Sequence, residues 1–351
     1  MIISLAMIVK NEQEHINRCL ESVKNIVDEI IVVDTGSTDN TMKLVNQIDN
    51  IKTFNYEWED DFSSARNYAI NMCKGSYILV LDADEYVTNG NRDELEKIIK
   101  NNTIGKICIN SKYIKDNQIY SSCAYVSRFF PKEVRYTGSI HEQINSNLPR
   151  EIMDFRIEHE GYLKPNKGDR NIPLLVKELS MNEKDPYYLF QIGKEYRIKK
   201  QYETSYKYLE KSYELINNTS SYYDELVIEL IYSGKECNKV KVLGIIDENN
   251  QLLSNISDFH FAKGLFYLDY CLKNPKKASS YIHSIEKSFK TCISLRDQEH
   301  IEYVKGTSSF LASYNLGVFY EVIGQINKAK RYYQQSYSDG YLPSKTRLEG
   351  L

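Results

Sequence analysis

Asp82-Ala83-Asp84 follows Tyr77–Leu81, the most apolar run in the first half of the chain. Two carboxylates two residues apart leave a strand on the same side, so both can address one cation. A hard divalent ion held there, Mg²⁺ or Mn²⁺, can bridge the two phosphates of a nucleotide diphosphate and neutralise charge that builds on a leaving group. Asp34 ends a second apolar run, ahead of Gly36-Ser37-Thr38-Asp39. A carboxylate at that place can accept from a base imide or a ribose hydroxyl, or can simply close a turn; Asp39 reads as a helix cap. Arg66-Asn67 open an amphipathic stretch behind an acidic loop. The Arg66 fork suits a donor phosphate or sugar hydroxyl, and an ion pair with Asp60 or Asp61 is its structural alternative.

The surrounding pattern predicts the elements that must hold these groups. Ile2–Val9, Glu29–Asp34, Ile51–Tyr56 and Tyr77–Asp82 read as strands. Glu14–Val27, Thr38–Ile48 and Phe62–Cys73 read as helices. Fully apolar strands alternating with helices imply a mostly parallel sheet covered on both faces. Ligands bind such sheets beyond the carboxyl ends of the strands. Those ends carry Lys10-Asn11-Glu12, Asp34-Thr35-Gly36-Ser37 and Asp82-Ala83-Asp84-Glu85, so three polar clusters meet at one edge.

From about residue 170 the period turns helical. Gly193 is followed by Tyr196, Ser205, Leu209 and Ser212, and Gly317 by Tyr320, Ala329, Tyr333 and Ser336. The offsets 3, 12, 16 and 19 are the same in both segments. Such small-then-large spacing is that of a tetratricopeptide helix pair, and Phe261–Lys290 reads as a degraded copy. Stacked repeats present a concave surface for a peptide. Pro165, Gly168 and Pro173 should break any regular element between the halves. Two domains are expected: an α/β domain over 1–168 and an all-α tetratricopeptide-like domain over 169–351.

The bulk numbers remove several classes. Lys+Arg 45 against Asp+Glu 48 gives a net charge of -3, which argues against nucleic acid as the main partner. No apolar run is long enough for a transmembrane segment, and no signal peptide is visible, so a cytoplasmic chain is expected. The seven scattered cysteines form no Cys-x-x-Cys pair and read as reduced thiols.

The segments Met7-Ile8-Val9-Lys10-Asn11-Glu12, Val32-Val33-Asp34-Thr35-Gly36-Ser37-Thr38-Asp39, Asp61-Phe62-Ser63-Ser64-Ala65-Arg66-Asn67 and Leu81-Asp82-Ala83-Asp84-Glu85 resemble, in order and spacing, family 2 glycosyltransferases of the GT-A (Rossmann-like) fold. Trp58, Arg128-Phe129-Phe130 and Gly138-Ser139-Ile140-His141-Glu142, with the repeats behind them, resemble the subgroup that contains sublancin-type peptide S-glycosyltransferases. The same architecture occurs in transferases of cell-envelope and lipopolysaccharide-core sugars.

The resemblance implies a metal-dependent, inverting transfer of a hexose-type sugar from a UDP-linked donor to a peptide or protein acceptor, such as a cysteine of a bacteriocin precursor. The repeats would recruit that acceptor. Carried over by position, Lys10 and Glu12 lie near the nucleoside, Asp34 contacts the base, and Arg66, Asn67 and Asp82 contact the nucleotide sugar. Asp82 and Asp84 ligate the metal, with His141 or His159 as a further ligand. Thr35 stands where the family often has a second acid. An inverting transfer needs a base opposite the leaving group, and Glu142 is the first choice. A homodimer is a further expectation from the exposed repeats. The competing readings are an envelope-saccharide transferase and a non-catalytic peptide-binding repeat protein.

Overall fold

The computed structural model describes residues 2–115, 118–159, 168–298 and 300–351. The chain forms two compact units, Met1–Glu178 and Leu179–Leu351.

The first unit is built on an eight-stranded mixed sheet. Its parallel half contains β1 (Ile3–Val9), β2 (Glu29–Asp34), β3 (Ile51–Asn55) and β4 (Tyr77–Val80), all within a residue or two of the expected bounds. Helices α1 (Ile16–Val23), α2 (Thr41–Val45) and α3 (Phe62–Met72) connect them. α1 turns Ile16, Cys19, Leu20 and Val23 inward, the 3.6-residue stripe that the sequence shows. Asp61 caps α3 by accepting from the Ser64 amide, so it is not the partner of Arg66.

After β4 come β5 (Glu85–Asn89), α4 (Arg92–Asn101), β6 (Ile104–Lys115), β7 (Gln118–Pro131), a small hairpin of β8 (Arg135–Thr137) and β9 (Gln143–Asn145), and β10 (Arg150–His159). The strand order is β3-β2-β1-β4-β7-β6-β10-β5. β7 runs antiparallel to both β4 and β6, and β10 pairs parallel with β6. Val9 lies beside Asp34, and Val80 beside Ala6, so the carboxyl ends of β1, β2 and β4 do share one edge.

The β6–β7 register corrects the expectation of reduced thiols for one pair. Asn110 lies opposite Cys123 and Cys108 opposite Tyr125, which makes Cys108 and Cys123 diagonal neighbours. They are joined as a disulfide with a Cα–Cα separation of 6.2 Å. Cys19, Cys73, Cys237, Cys271 and Cys292 remain free thiols.

The expected break between the halves is also corrected. Pro165 lies outside the described residues, but Gly168 and Pro173 belong to α5 (Gly168–Met181), which spans the division between the units. Pro173 sits near the start of that helix, where its ring removes one early backbone bond without ending the element.

In the second unit α6 (Pro186–Ile198) packs on α7 (Tyr202–Leu215). There follow α8 (Tyr223–Glu236), α9 (Val242–Asn249), α10 (Ser257–Lys273), α11 (Ala278–Leu295), α12 (Phe310–Val322), α13 (Ile326–Ser338) and α14 (Pro343–Glu349). The shared spacings have a direct meaning here. A Cβ on Gly193 would lie 2.6 Å from Leu209, and one on Gly317 would lie 2.7 Å from Tyr333, both partners sixteen residues on. The Ser212 hydroxyl donates to the Pro186 carbonyl at 2.6 Å, and Ser336 to that of Phe310 at 2.8 Å. Small residues thus let two helices touch backbone to side chain at one register. Gly264 meets Phe289 instead, because α10 and α11 are longer. Among the described residues, no helix is long and apolar enough to cross a membrane.

Candidate active site

Two strand-end loops are laced together at the sheet edge. Asn11, at φ 57°, accepts from the Thr38 amide at 2.8 Å, and its own amide donates to Ser37 Oγ at 3.0 Å. The Glu12 amide donates to Thr41 Oγ1 at 2.8 Å. Asp39 accepts from the Thr41 amide at 2.9 Å, but the N-cap of α2 is Asn40, so Asp39 stands one residue ahead of the capping position expected of it. Asp34 folds back to accept from the Ser37 amide with both oxygens, at 3.0 and 3.2 Å. Thr35 is buried and donates to the Val9 carbonyl at 3.1 Å, so it serves the sheet. Lys10 is exposed beside this pair of loops.

The acidic turn departs from a straight extension of the strand. β4 stops at Val80, and Asp82–Asp84 form a turn closed by the Glu85 amide on the Asp82 carbonyl at 3.0 Å. The turn gives the two aspartates different partners. Asp82 Oδ1 accepts from Arg66 at 2.7 Å and Oδ2 from Arg128 at 3.0 Å. Arg128 also donates to Glu85 at 2.9 Å, and Glu85 accepts from the Asp82 amide at 2.8 Å. The Arg66 Nε donates to Glu142. A chain of alternating charge results, Glu142–Arg66–Asp82–Arg128–Glu85, from α3, β7, the acidic turn and the loop behind β8.

Burial alone would raise the Asp82 carboxyl, but the guanidinia of Arg66 and Arg128 overcome it and hold the group well below the usual carboxylate range. Burial pushes Glu85 up, with Arg128 opposing and Asp82 adding to the rise. For Arg66, burial works against the charge, and Asp82 and Glu142 more than restore it. Arg66 also lies over the Tyr136 ring, 5.6 Å from its centroid. Its Nη1, and Nε of Arg128, are buried with no hydrogen-bond partner among the described residues. Such donors suit an anionic ligand.

Asp84 pairs with His159 instead, Oδ2 to Nε2 at 3.3 Å, and Ser111 Oγ lies 3.2 Å from the other ring nitrogen. A histidine oriented through its second nitrogen is the usual arrangement of a metal ligand. The expected set of Asp82, Asp84, His141 and His159 is not gathered: no group of three or more His, Cys, Asp or Glu side chains among the described residues is arranged to hold a metal. Asp84 and His159 fit a divalent ion that takes its remaining ligands from substrate phosphates and water. Asp82, as placed, does not. His141 lies at φ 51° in the loop that turns Glu142 towards Arg66. Both amide atoms of Asn67 bind the Tyr136 backbone at 2.9 Å, which ties α3 to β8. Trp58 Nε1 donates to Asp60 at 2.8 Å, and its ring meets Phe62 edge-on.

Ser111 was not singled out from sequence, and Glu85 entered only as the last member of the polar cluster Asp82-Ala83-Asp84-Glu85. Arg128 entered only as part of a resemblance, although a lone arginine ahead of Phe129-Phe130 in a strand is a sign of a buried charge.

Residues 4–153 match the model of Glycosyl transferase family 2. The SPbeta prophage-derived glycosyltransferase SunS of Bacillus subtilis (strain 168) is 31% identical over 243 residues, covering 64% of this chain and 57% of that protein. A TPR repeat-containing protein of Synechococcus elongatus is 37% identical over 147 residues, covering 42% of this chain and 36% of the other. The chain thus spans about half the length, or less, of these relatives. The structure of S. aureus TarS 1-349 in complex with UDP aligns over 83% of this chain and 92% of that one, at 13% identity and a TM-score of 0.36. The match over residues 4–153 lies within the first unit and takes in the strand ends that carry the polar sheet edge.

Proposed function

We propose that the chain is an inverting glycosyltransferase that moves a hexose from a UDP-linked donor to a peptide or protein acceptor. The observation that carries this reading is the Arg66 node. One buried guanidinium joins the acidic turn, through Asp82, to Glu142, and keeps a free Nη1 donor between them.

Asp34, Lys10 and Glu12 line the nucleoside end at the β1 and β2 edges. Asp84 and His159 would hold the divalent ion, which supplies charge neutralisation on the departing diphosphate. Arg66 offers Nη1 to a donor oxygen and orients Asp82. Three carboxylates share two guanidinia here, and Asp84 adds a fourth acid. That excess of negative charge favours a cation accompanying the diphosphate. The acceptor heteroatom attacks the anomeric carbon, the bond to the diphosphate oxygen breaks, and the diphosphate leaves with the electron pair. Glu142 takes the acceptor proton on Oε2, since Arg66 engages Oε1. A thiol acceptor, with a pKa of about 8.5, would lean on this base less than a hydroxyl.

A peptide acceptor rests on the resemblance to sublancin-type peptide S-glycosyltransferases and on the repeats, whose paired helices are of a kind that presents a groove. Mass spectrometry of candidate precursor peptides incubated with a panel of nucleotide sugars tests it. A hexose adduct on cysteine or serine supports the peptide reading. Transfer to saccharide acceptors alone would replace it with the envelope-saccharide reading, and peptide binding without any transfer would leave a non-catalytic repeat protein.

A further inference from the structure

The loop that delivers Glu142 is bracketed by two left-handed residues, Gly138 at φ 90° and His141 at φ 51°. A histidine in that region needs surroundings that hold it there. The holding point is Ser139. Its carbonyl accepts from the Phe62 amide at 2.8 Å, and its own amide donates to Glu178 Oε1 at 3.0 Å. Ile140 follows it into the core at 4% exposure. Phe62 is the first residue of α3, the helix that carries Arg66. Ser139 is therefore pinned on one side to the element that binds Glu142 and on the other to α5. A second contact repeats this grip: Arg170 of α5 lies over the Phe62 ring, 5.0 Å from its centroid.

We propose that Glu178 is a positioning residue of the transfer site. Its carboxylate fixes the Ser139 amide, and through the Gly138–Glu142 loop it sets the Glu142 carboxylate against Arg66. The proposal rests on the reading of Glu142 as the base. It places the far end of α5 with the catalytic unit, although a boundary at 168/169 would assign that helix to the repeats. Glu178 is the last residue of the first unit. A carboxylate that accepts from one backbone amide can be replaced by another acceptor of the same reach, so the role predicts rescue by glutamine and loss with alanine.

The test uses the full-length chain with E178A, E178Q and E178D, read in two ways. Hydrogen exchange of the peptide containing Ser139 should speed up at least tenfold in E178A, stay near wild type in E178Q, and leave the β1 and β4 peptides unchanged. In sugar transfer, E178A should lower kcat at least tenfold with donor KM within twofold, and E178Q should restore most of it. E178D, one methylene shorter, should fall between them and serves where the alanine variant does not fold. Unchanged exchange in E178A, or unchanged kcat, overturns the proposal, as does a glutamine variant no better than alanine. A wild-type chain that transfers no sugar defeats the glycosyltransferase reading instead, and the exchange measurement still decides whether Glu178 anchors the loop.

Discussion

Arg128→Met is the sharpest perturbation of the alternating charge chain. Arg128 is 9% exposed and Glu85 2% exposed, and one Arg128 Nη2 serves both Glu85 and Asp82. Methionine fills much of the space but leaves the Glu85 carboxylate buried without its cation. Removing one partner of a buried pair costs about 3–5 kcal/mol. Against a typical total of about 5–15 kcal/mol, that is a large share of the stability of the unit. With a urea slope of about 2 kcal/mol/M, the midpoint should fall by roughly 2 M. The chain has a single tryptophan, Trp58, and it lies in the first unit, so its fluorescence reports that unit alone. Glu85→Gln in the same background removes the stranded charge while keeping an acceptor for the Asp82 amide. The double variant should therefore recover about 2 kcal/mol relative to the sum of the single losses. If the two losses add to within about 0.5 kcal/mol, the buried coupling is absent and the reasoning fails.

Other outcomes follow from the same geometry. Asp84→Ala should abolish metal-stimulated turnover while the Trp58 unfolding curve stays near wild type; full activity of the wild-type chain in EDTA would contradict a metal role. Ending the chain after Met181, which keeps Glu178, should weaken acceptor binding much more than donor binding in calorimetry, and equal loss of both would speak against recruitment by the repeats. Burial and the nearby Lys263 push His260 down to about 4, so the folded state resists a proton that the unfolded chain accepts below about 6.5. Its contribution is complete above that pH and is lost as pH falls towards 4, roughly 3 kcal/mol in all. Helical melts between pH 7 and 4 should show a smaller loss for His260→Gln; an identical loss would clear His260 of that part.

The parallel half of the sheet was legible because β1, β2 and β4 are nearly continuous apolar runs and α1 carries its own stripe. The repeats were legible because the Gly193 and Gly317 spacings report a close approach within one helix pair. The segment from Glu85 to His159 was not. Its long strands β6, β7 and β10 alternate polar and apolar residues, and their order in the sheet depends on non-local pairing. For that reason Ser111, the pairing of Glu85 with Arg128 and the Cys108–Cys123 pair escaped sequence reasoning. The different partners of Asp82 and Asp84 escaped it too, since i and i+2 share a side only while the strand runs straight, and here it turns at Leu81. Asp34, Glu142, Asp84 and His159 needed no pairing information to be singled out, since each stands at the end of an element or beside a turn, and Arg66 stood out as a cation just behind the acidic Asp60-Asp61.

The most direct test of the central claim is nucleoside diphosphate release, followed with sugar transfer in one reaction, for the wild-type chain and Glu142→Gln. With the correct UDP-linked hexose and acceptor, the wild type should release one diphosphate per sugar transferred and invert the anomeric configuration. The glutamine variant should bind the donor and lose transfer by about 10²–10⁴-fold, the usual range for a general base. A retained anomeric configuration, or a Glu142→Gln variant as active as wild type on a hydroxyl acceptor, would contradict the account.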